Sequence, residues 1–541
     1  MKLAKEKGKS MGIGEEKGVK MPDSVSNCTT RKCSVQIDEA LCSECTICSS
    51  VCPLKAISIT EKTPKVTLDI EKCQVCGICV SACPVSAIDT VYYDSDSLID
   101  YVRKSIRETG LNTLVLTCRS NSPLPKRVEE VLRKQNLNEY ISLRLPCVGR
   151  ISPEVLFKVL ASGIRKITIV PCEEDFCRFK EGSRIGTRRF KLIQAVLNQL
   201  NLENALTVVR GLPRAHVETE KCISCGDCVE ICPEEAIQLK SAPRVADLKV
   251  DKCSGCGACV VVCPTLAISI EGFEHKTMSD SISDSKLSYD WIKKDDGRPR
   301  ILVLCCQWSE FSALDEIRTS TSKDNLLFME VPCAARVESL HILKALHAGF
   351  DGIFVSACRK DECRSGKGSE RAERRILALK KLLSRINLEN RLEICFVSPK
   401  HLGEFNTHLD SFRKALTELG SLHLELDRSM MLEAAIEALN FERPRLILER
   451  SQILLEKGNV FGEKVSQEEF YQILKPIEEE FMRRRIILSI GENALSVKEI
   501  AKKVKVSPQE VLRNIVSLER DGLVSVQEIE GNSPRYQTAK G

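Results

Sequence analysis

The sequence predicts a multidomain protein of mixed α+β and α/β class. Two small cysteine-rich domains alternate with two open parallel-sheet α/β modules, and a small helical domain follows at the C-terminus. Three observations support this prediction. The chain has 541 residues, too many for one hydrophobic core. Its 28 cysteines include four copies of one spaced phrase. The text between these copies repeats at an interval of roughly 180 residues, which indicates an internal duplication.

Composition restricts the possible roles of the chain. Eighty Lys and Arg against 75 Asp and Glu give a net charge of +5, too small for this length to indicate a nucleic-acid binder overall. The first residues, MKLAKEKGKSMGIGEEKGVK, lack the apolar core of a signal peptide, and no run of about 18 apolar residues follows. We therefore expect a soluble cytoplasmic protein with reduced thiols, preceded by a flexible tail at residues 1–35.

The phrase C-x2-C-x2-C-x3-C-P occurs four times and is the most specific signal in the chain. This spacing lets three thiolates bind one iron–sulfur cube, while the fourth, beyond the turn at proline, points to a neighbouring cube. The phrases therefore work in pairs. Each pair resembles a bacterial-type ferredoxin with two 4Fe-4S clusters, which predicts ferredoxin domains at residues 36–95 and 216–275.

The ferredoxin resemblance assigns to each cluster three cysteines of one phrase and the last cysteine of the other. The four implied sets are Cys42, Cys45, Cys48 and Cys83; Cys73, Cys76, Cys79 and Cys52; Cys222, Cys225, Cys228 and Cys263; and Cys253, Cys256, Cys259 and Cys232. Structural zinc sites are the alternative, but they do not require the third and fourth cysteines at these offsets. Glycine follows the second cysteine in three phrases, whereas Thr46 takes that place in the first, where a changed cluster potential is expected.

The text behind each ferredoxin pair predicts an α/β module, at residues 96–215 and 300–425, with a linker at 276–299. Predicted strands of the first are TLVLTC, ISLRLPC, KITIVPC and ALTVVR, and those of the second are ILVLCC, LLFMEVPC, GIFVSAC and LEICFVS. Amphipathic helices alternate with them, which predicts an open parallel sheet. Cys118, Cys147 and Cys172 each end a predicted strand, so they are expected to converge at one edge of the sheet.

The second module resembles the delta subunit of the methyl-viologen-reducing hydrogenase. The resemblance rests on CQW at 306–308, PCAARV at 332–337, AGFDGIFVSAC at 348–358, and DEC with a basic helix behind it. That family carries a 2Fe-2S cluster, which implies one held by Cys306, Cys333, Cys358 and Cys363. The first module keeps the corresponding positions, Cys118, Cys147, Cys172 and Cys177, which implies a second 2Fe-2S cluster, although its CRS at 118–120 lacks the tryptophan.

The remaining cysteines leave alternatives open. Cys172 and Cys177 form a redox disulfide in one alternative, but Glu173, Glu174 and Asp175 between them disfavour a reactive thiolate. In another, the four cysteines of a module are only buried core residues. If a cluster is present, these acids predict a lower potential in the first module than in the second. Four further cysteines are not predicted ligands: Cys305 and Cys395, expected in the core, and Cys28 and Cys33, for which the sequence indicates no role.

The C-terminal part of the chain has a different character, with no cysteine after Cys395. A helical linker is predicted at 426–480 and a winged helix-turn-helix-like domain at 481–541, with Ser507 as N-cap, Pro508 at the first helical position and Gly522 as the stop. Its second helix presents side chains able to read base edges: Gln509, Arg513 and Asn514. A protein-docking role is the alternative.

No catalytic constellation is evident, so no active site is expected. GIG at 12–14 and RSGKGS at 364–369 fail the dinucleotide and P-loop patterns, and no histidines are spaced as metal ligands. The predicted function is therefore single-electron transfer. The hydrogenase resemblance implies an anaerobe. It also implies two partners: a flavin-containing subunit of heterodisulfide reductase, and either a hydrogenase or a formate dehydrogenase. The alternative is a redox-responsive regulator that binds DNA through residues 483–541.

Overall fold

The computed structural model describes residues 35–539 except 61–62, 91–93, 120–125, 136, 138, 212–213, 289–296, 310–324, 399–403, 423–425, 460 and 532. Most of the predicted tail, with Cys28, Cys33 and the GIG motif, therefore lies outside the described residues.

The first cysteine-rich domain consists of two antiparallel strand pairs and a short helix. Its elements are β1 (Val35–Ile37), α1 (Ile47–Val51), β2 (Ile57–Thr60), β3 (Thr63–Leu68) and β4 (Ile88–Thr90). β1 pairs with β4, and β2 pairs with β3. In each pair one strand precedes a cysteine phrase and the other follows one, so the domain repeats internally.

The first module contains a four-stranded sheet with every neighbouring pair of strands parallel, in the order β6-β5-β7-β8. Its elements are α2 (Ser95–Thr109), β5 (Thr113–Cys118), α3 (Lys126–Lys134), β6 (Ile141–Leu145), α4 (Pro153–Ala161), β7 (Lys166–Val170), α5 (Gly182–Gln199) and β8 (Leu206–Val208). Leu114 and Leu116 of β5 pack with α2, α4 and α5, whereas Val115 packs with α3. Helices thus cover both faces, which explains why β5 is buried throughout.

The second cysteine-rich domain repeats the first. It contains β9 (Ala215–Val217), α6 (Asp227–Ile231), β10 (Ile237–Leu239), β11 (Ala246–Leu248), α7 (Ala258–Val261) and β12 (Ile268–Ile270). The antiparallel pairs are β9 with β12 and β10 with β11.

The second module repeats the first sheet, in the order β14-β13-β15-β16, again with parallel pairs. Its elements are α8 (His275–Ser288), β13 (Ile301–Cys306), β14 (Leu326–Val331), α9 (Ser339–His347), β15 (Gly352–Cys358), α10 (Gly368–Leu383), β16 (Leu392–Val397) and α11 (Glu404–Leu419). The predicted parallel sheets are thereby confirmed. The predicted linker at 276–299 differs from the structure, because it begins with α8, whose Met278 and Ile282 are buried.

The C-terminal part begins with four helices: α12 (Leu426–Asn440), α13 (Glu442–Lys457), α14 (Gln467–Ile473) and α15 (Lys475–Ile490). β17 (Leu495–Ser496), α16 (Val497–Val504), α17 (Pro508–Arg520), β18 (Val524–Glu530) and β19 (Ser533–Thr538) follow. The last three strands form an antiparallel sheet in the order β17-β19-β18. Ser507 caps α17 by accepting a hydrogen bond from the Glu510 amide, with Pro508 in the first turn, as the sequence predicts.

Candidate metal centres

Each cysteine phrase bends at three left-handed residues, which bring its sulfurs to one side. They stand two positions after the first cysteine, one after the second and three after the fourth: Glu44, Thr46 and Lys55; Val75, Gly77 and Ser86; Ser224, Gly226 and Glu235; Gly255, Gly257 and Leu266. Most of these residues have a side chain and therefore resist this conformation by about 1 kcal/mol. The same costly geometry in all four phrases indicates that the placement of the sulfurs determines it.

The third left-handed residue aims a backbone amide at the sulfur of the fourth cysteine. Donor–sulfur distances are 3.2 or 3.3 Å for the four pairs: Ala56 to Cys52, Ala87 to Cys83, Ala236 to Cys232 and Ala267 to Cys263. A hydrogen bond to sulfur favours the thiolate form, which is the form that binds metal.

The fourth cysteine of each phrase turns toward the other phrase. Burial raises the pKa of the Cys48 thiol, and three nearby sulfurs raise it further: Cys45, Cys42 and Cys83. Burial also raises the pKa of the Cys259 thiol, and the nearby sulfurs of Cys256, Cys253 and Cys232 raise it further. Two small cavities are lined by the other two sets: Cys222, Cys225, Cys228 and Cys263, and Cys52, Cys73, Cys76 and Cys79. The structure thus brings together all four sets that the ferredoxin resemblance implies.

The four cysteines of each module also converge, at the carboxyl edge of the sheet. In the first module Cys118 is within hydrogen-bonding reach of Cys147 and Cys172, and Cys172 in turn of Cys177. In the second, the Sγ atoms of Cys306 and Cys358 are 3.5 Å apart, and Cys333 reaches both Cys306 and Cys363. Both sheets have the order 2-1-3-4, so the cysteines lie where the strand order reverses, the usual place for a ligand in an open α/β sheet.

The N-terminus of the following helix closes each module site. The Ser183 amide of α5 donates to Cys177 Sγ at 3.2 Å, and Ser369 of α10 hydrogen bonds to Cys363. A Cβ on Gly368 would lie 2.5 Å from Cys333 Sγ, so glycine is required for this approach. The positive end of a helix dipole stabilises negative charge on such sulfurs.

The same arginine contact joins each cysteine-rich domain to its module. A Cβ on Gly77 would lie 2.9 Å from Arg150 Cβ, and a Cβ on Gly257 would lie 2.7 Å from Arg336 Cδ. Both arginines are buried. The structure thus gives a packing reason for glycine at positions 77 and 257.

Across this contact, one sulfur of the cysteine-rich domain faces one of the module. Hydrogen bonding to Cys306 and burial raise the pKa of Cys333 to about 12, and the Cys256 thiol contributes to the rise. The pKa of Cys147 is also raised. A hydrogen bond to Cys118 lowers it, but burial and nearby thiols, Cys76 among them, raise it by more. In each half of the chain the second dicluster set therefore lies beside the module set.

The two modules meet in a reciprocal contact around Trp308. Arg178 donates to the Glu362 carbonyl at 2.8 Å, and Arg364 donates to the Phe176 carbonyl. Both arginines follow the last cysteine of their module, and both carbonyls precede it, so the junction has approximate twofold symmetry. The guanidinium groups lie 5.7 and 5.5 Å from the Trp308 ring centre. RSGKGS thus contributes Arg364 to this junction.

Two of the three acids of PCEEDFC are paired with arginines. Glu173 binds Arg214, whose guanidinium also donates to the Cys253 carbonyl of the second cysteine-rich domain. Glu174 binds Arg210 at 2.7 Å, and this arginine holds the pKa of that carboxyl below its usual value. Because these two charges are offset, they give little reason for a lower potential in the first module. They instead tie the loop to the chain that enters the second cysteine-rich domain.

The structure also assembles a histidine cluster that the sequence interpretation missed. His275 Nδ1 lies 2.9 Å from Glu338 Oε1, and the ligand atoms of His275, Glu338 and His341 lie within 4.8 Å of one another. Arg336 donates to the same Glu338 oxygen. A guanidinium already takes the place that a metal cation would need, so the cluster is an ion-pair network. It was missed because these residues stand on two helices and the segment between them.

The two cysteines predicted to lie in the core do so. Cys305 and Cys395 are buried in β13 and β16.

Within the described part of the chain, every helix is too short or too polar to cross a membrane.

Comparison with protein families matches both modules to one family. Residues 114–219 and 301–420 match the methyl-viologen-reducing hydrogenase, delta subunit. Residues 41–87 and 215–270 each match a 4Fe-4S dicluster domain. These matches coincide with the repeated modules and the repeated cysteine-rich domains.

Two kinds of relative are found. One is a component of the ferredoxin:CoB-CoM heterodisulfide reductase of Methanosarcina mazei, 33% identical over 217 residues, which are 40% of this chain and 26% of the relative. The chain thus spans about a quarter of that relative's length. The other is the vhu iron-sulfur component of the F420-non-reducing hydrogenase of Methanopyrus kandleri, 33% identical over 125 residues, 23% of this chain and 95% of the relative. The iron-sulfur component of the F420-non-reducing hydrogenase of Archaeoglobus profundus is 29% identical over 135 residues, which are 24% of this chain and 98% of that relative. The chain therefore belongs to the methyl-viologen-reducing hydrogenase delta subunit family, and it joins two copies of that module to two 4Fe-4S dicluster domains.

Proposed function

We propose that this protein is an iron–sulfur electron-transfer subunit that passes single electrons between a hydrogenase or a formate dehydrogenase and a flavin-containing heterodisulfide reductase-type complex. Its relatives are subunits of a hydrogenase and of a heterodisulfide reductase, which supports partners of these two kinds. Formate dehydrogenase rests on the family resemblance alone.

We propose one cluster for each of the six cysteine sets. The ligands of the four 4Fe-4S clusters are Cys42, Cys45, Cys48 and Cys83; Cys73, Cys76, Cys79 and Cys52; Cys222, Cys225, Cys228 and Cys263; and Cys253, Cys256, Cys259 and Cys232. Those of the two 2Fe-2S clusters are Cys118, Cys147, Cys172 and Cys177, and Cys306, Cys333, Cys358 and Cys363. The donor sets fit, because each is four cysteines, and amides or helix N-termini face several of their sulfurs. Bound clusters of this kind supply one-electron redox chemistry.

The observation that carries the proposal is that each cysteine set lies beside another, so that the sets follow one another through the protein. Cys76 faces Cys147 and Cys256 faces Cys333, and the two module sites meet around Trp308. Within a protein, electron transfer requires such neighbouring sites, whereas separate structural metal sites do not. Buried Arg150 and Arg336 keep each dicluster domain in register with its module.

We also propose the domain organisation given by the sequence. The ferredoxin domains are residues 36–95 and 216–275, the modules 96–215 and 300–425, the helical linker 426–480, and the winged helix-turn-helix-like domain 481–541. On α17 two apolar side chains, Leu512 and Val516, are exposed beside Gln509 and Arg513. Such side chains do not hydrogen bond to base edges, so a protein partner fits this helix better than DNA.

Hydrogen-dependent reduction tests the function. We expect the reconstituted chain, under H2 with a catalytic amount of hydrogenase from the same organism, to lose visible absorption as its clusters are reduced. After H2 is removed, a molar excess of the oxidised flavin-containing component of the reductase should take up these electrons and restore the absorption. Formate with formate dehydrogenase is the parallel arm. Dithionite, which needs no docking site, is the control. If dithionite reduces the protein but neither enzyme does, these electron donors are wrong.

A further inference from the structure

Helix α5 of the first module exposes a row of apolar side chains. Leu192 and Val196 of α5 and Leu200 directly after it follow one another at intervals of four, and Leu202 lies two residues further on. Their exposed fractions are 67%, 39%, 57% and 48%. We call these four residues the α5 face. A contiguous apolar patch of this kind on a folded domain indicates a contact with another surface.

The second module shows the same positions covered. The repeated text RRFKLIQAVLNQLNLEN and RRILALKKLLSRINLEN places Ala378, Leu382, Ile386 and Leu388 where the α5 face lies. Ala378, Ile386 and Leu388 are 0%, 6% and 1% exposed, and Leu382 is half-buried. They belong to one hydrophobic cluster with residues of the C-terminal helices, among them Leu448, Leu474 and Ile477.

The covering helices are apolar and acidic. Glu449 and Glu456 of α13 bind Arg375 and Arg371 of α10 at 2.9 and 3.0 Å. Glu478 of α15 binds Arg385 at 2.9 Å. The cover of the second module is thus a set of leucine-rich helices whose carboxylates pair with basic residues in and just after α10.

Helix α5 is basic, as α10 is, which favours an acidic cover. Its segment GSRIGTRRFKLIQAVLNQ contains four basic residues and no acidic one. Of the three arginines that bind the cover of the second module, only Arg375 has a basic counterpart, Arg189, and that side chain donates to the Gly149 carbonyl at 2.9 Å. Arg188 is exposed and corresponds to Arg374, which lies 3.8 Å from Glu456. After β8 the described chain passes directly to β9, so within the described residues no C-terminal helix set follows the first module.

We propose that the α5 face is a docking surface for a partner protein that supplies a leucine-rich helix with carboxylate side chains. The inference rests on the proposed function only in placing that partner in an electron-transfer complex. Docking would cover the first module as the chain's own α13–α15 cover the second.

Site-specific photocrosslinking in cells that make the full chain tests this surface. A benzophenone side chain is placed at Leu192, and at Leu377 of α10 as a control on the same helix of the other repeat; Leu377 is also exposed, at 52%. We expect Leu192 to crosslink to one segment of one partner, a helix rich in leucine and acidic residues, with background labelling from Leu377. Val196→Asp should abolish the crosslink without changing iron content or reduction by dithionite, and Leu377→Asp should leave it intact.

Other outcomes contradict the inference. A crosslink to a second copy of the chain, or to residues 1–34 of the same chain, shows that the α5 face has a different occupant. Loss of iron in the Val196→Asp variant shows that the residue is structural. Electron uptake from hydrogenase with no partner crosslink at Leu192 overturns the surface and leaves the proposed function intact. A partner crosslink at Leu192 without electron uptake from hydrogenase supports the docking surface and contradicts the proposed function.

Discussion

Removing Cys42 and Cys83 together is expected to cost the chain only one 4Fe-4S cluster, about four iron atoms, although the two residues stand in different phrases. The reason is that Cys83 lies with Cys42, Cys45 and Cys48 rather than with its own phrase. Iron and sulfide content of the Cys42→Ala/Cys83→Ala protein, purified anaerobically, measures this loss.

The matched control removes two cysteines of one phrase. Cys42→Ala/Cys52→Ala takes one ligand from each of two sets, so about eight iron atoms should be lost. If the phrases instead worked separately, the two results would be exchanged. Circular dichroism of both variants checks that the rest of the chain remains folded.

The second large effect is expected from Gly257→Ala. The new Cβ would lie 2.7 Å from Cδ of Arg336, which is fully buried and hydrogen bonds to the Phe273 carbonyl at 2.7 Å, so the arginine cannot move away freely. The backbone strain of alanine at φ +81° adds about 1 kcal/mol, and the clash adds about 1–3 kcal/mol. The thermal unfolding midpoint of the reconstituted protein should fall clearly.

Gly226→Ala separates the backbone strain from the clash with Arg336. Gly226 has nearly the same φ, +85°, but the nearest atom to its new Cβ is Leu239 Cδ1, at 3.8 Å. This variant should therefore show only the backbone strain and a smaller fall in the unfolding midpoint. Equal effects of the two substitutions would mean that the contact between Gly257 and Arg336 contributes nothing to stability.

This comparison also explains Thr46. In the first phrase of each dicluster domain the residue after the second cysteine has room for a side chain: Thr46 is exposed, and a Cβ on Gly226 would meet only Leu239. In the second phrase, a Cβ on Gly77 or Gly257 would meet the module arginine. A side chain is thus tolerated at position 46 at the cost of a left-handed backbone. The sequence alone carries no sign of this difference, because it depends on which phrase faces the module.

The predictions that agreed with the structure depend on local patterns. Cysteine spacing fixes which sulfurs can approach one another, and the apolar runs TLVLTC and ILVLCC coincide with β5 and β13. The junction was not predicted, because Arg178 and Glu362 are 184 positions apart and their contact has no local signal. Helix α8 was missed because its polar text, HKTMSDSISDS, resembles a linker, and the contacts that stabilise it, such as the burial of Met278 and Ile282 against the module, are tertiary.

Mössbauer spectroscopy of the protein reconstituted with 57Fe decides whether all six cysteine sets hold iron–sulfur clusters, because it separates 4Fe-4S from 2Fe-2S iron. We expect about 20 iron atoms per chain, about 16 in 4Fe-4S and about four in 2Fe-2S clusters. A total of about 16, all in 4Fe-4S clusters, would contradict the proposal for the modules. Iron that gives only mononuclear signals, with none in a cluster, would contradict it for the whole chain.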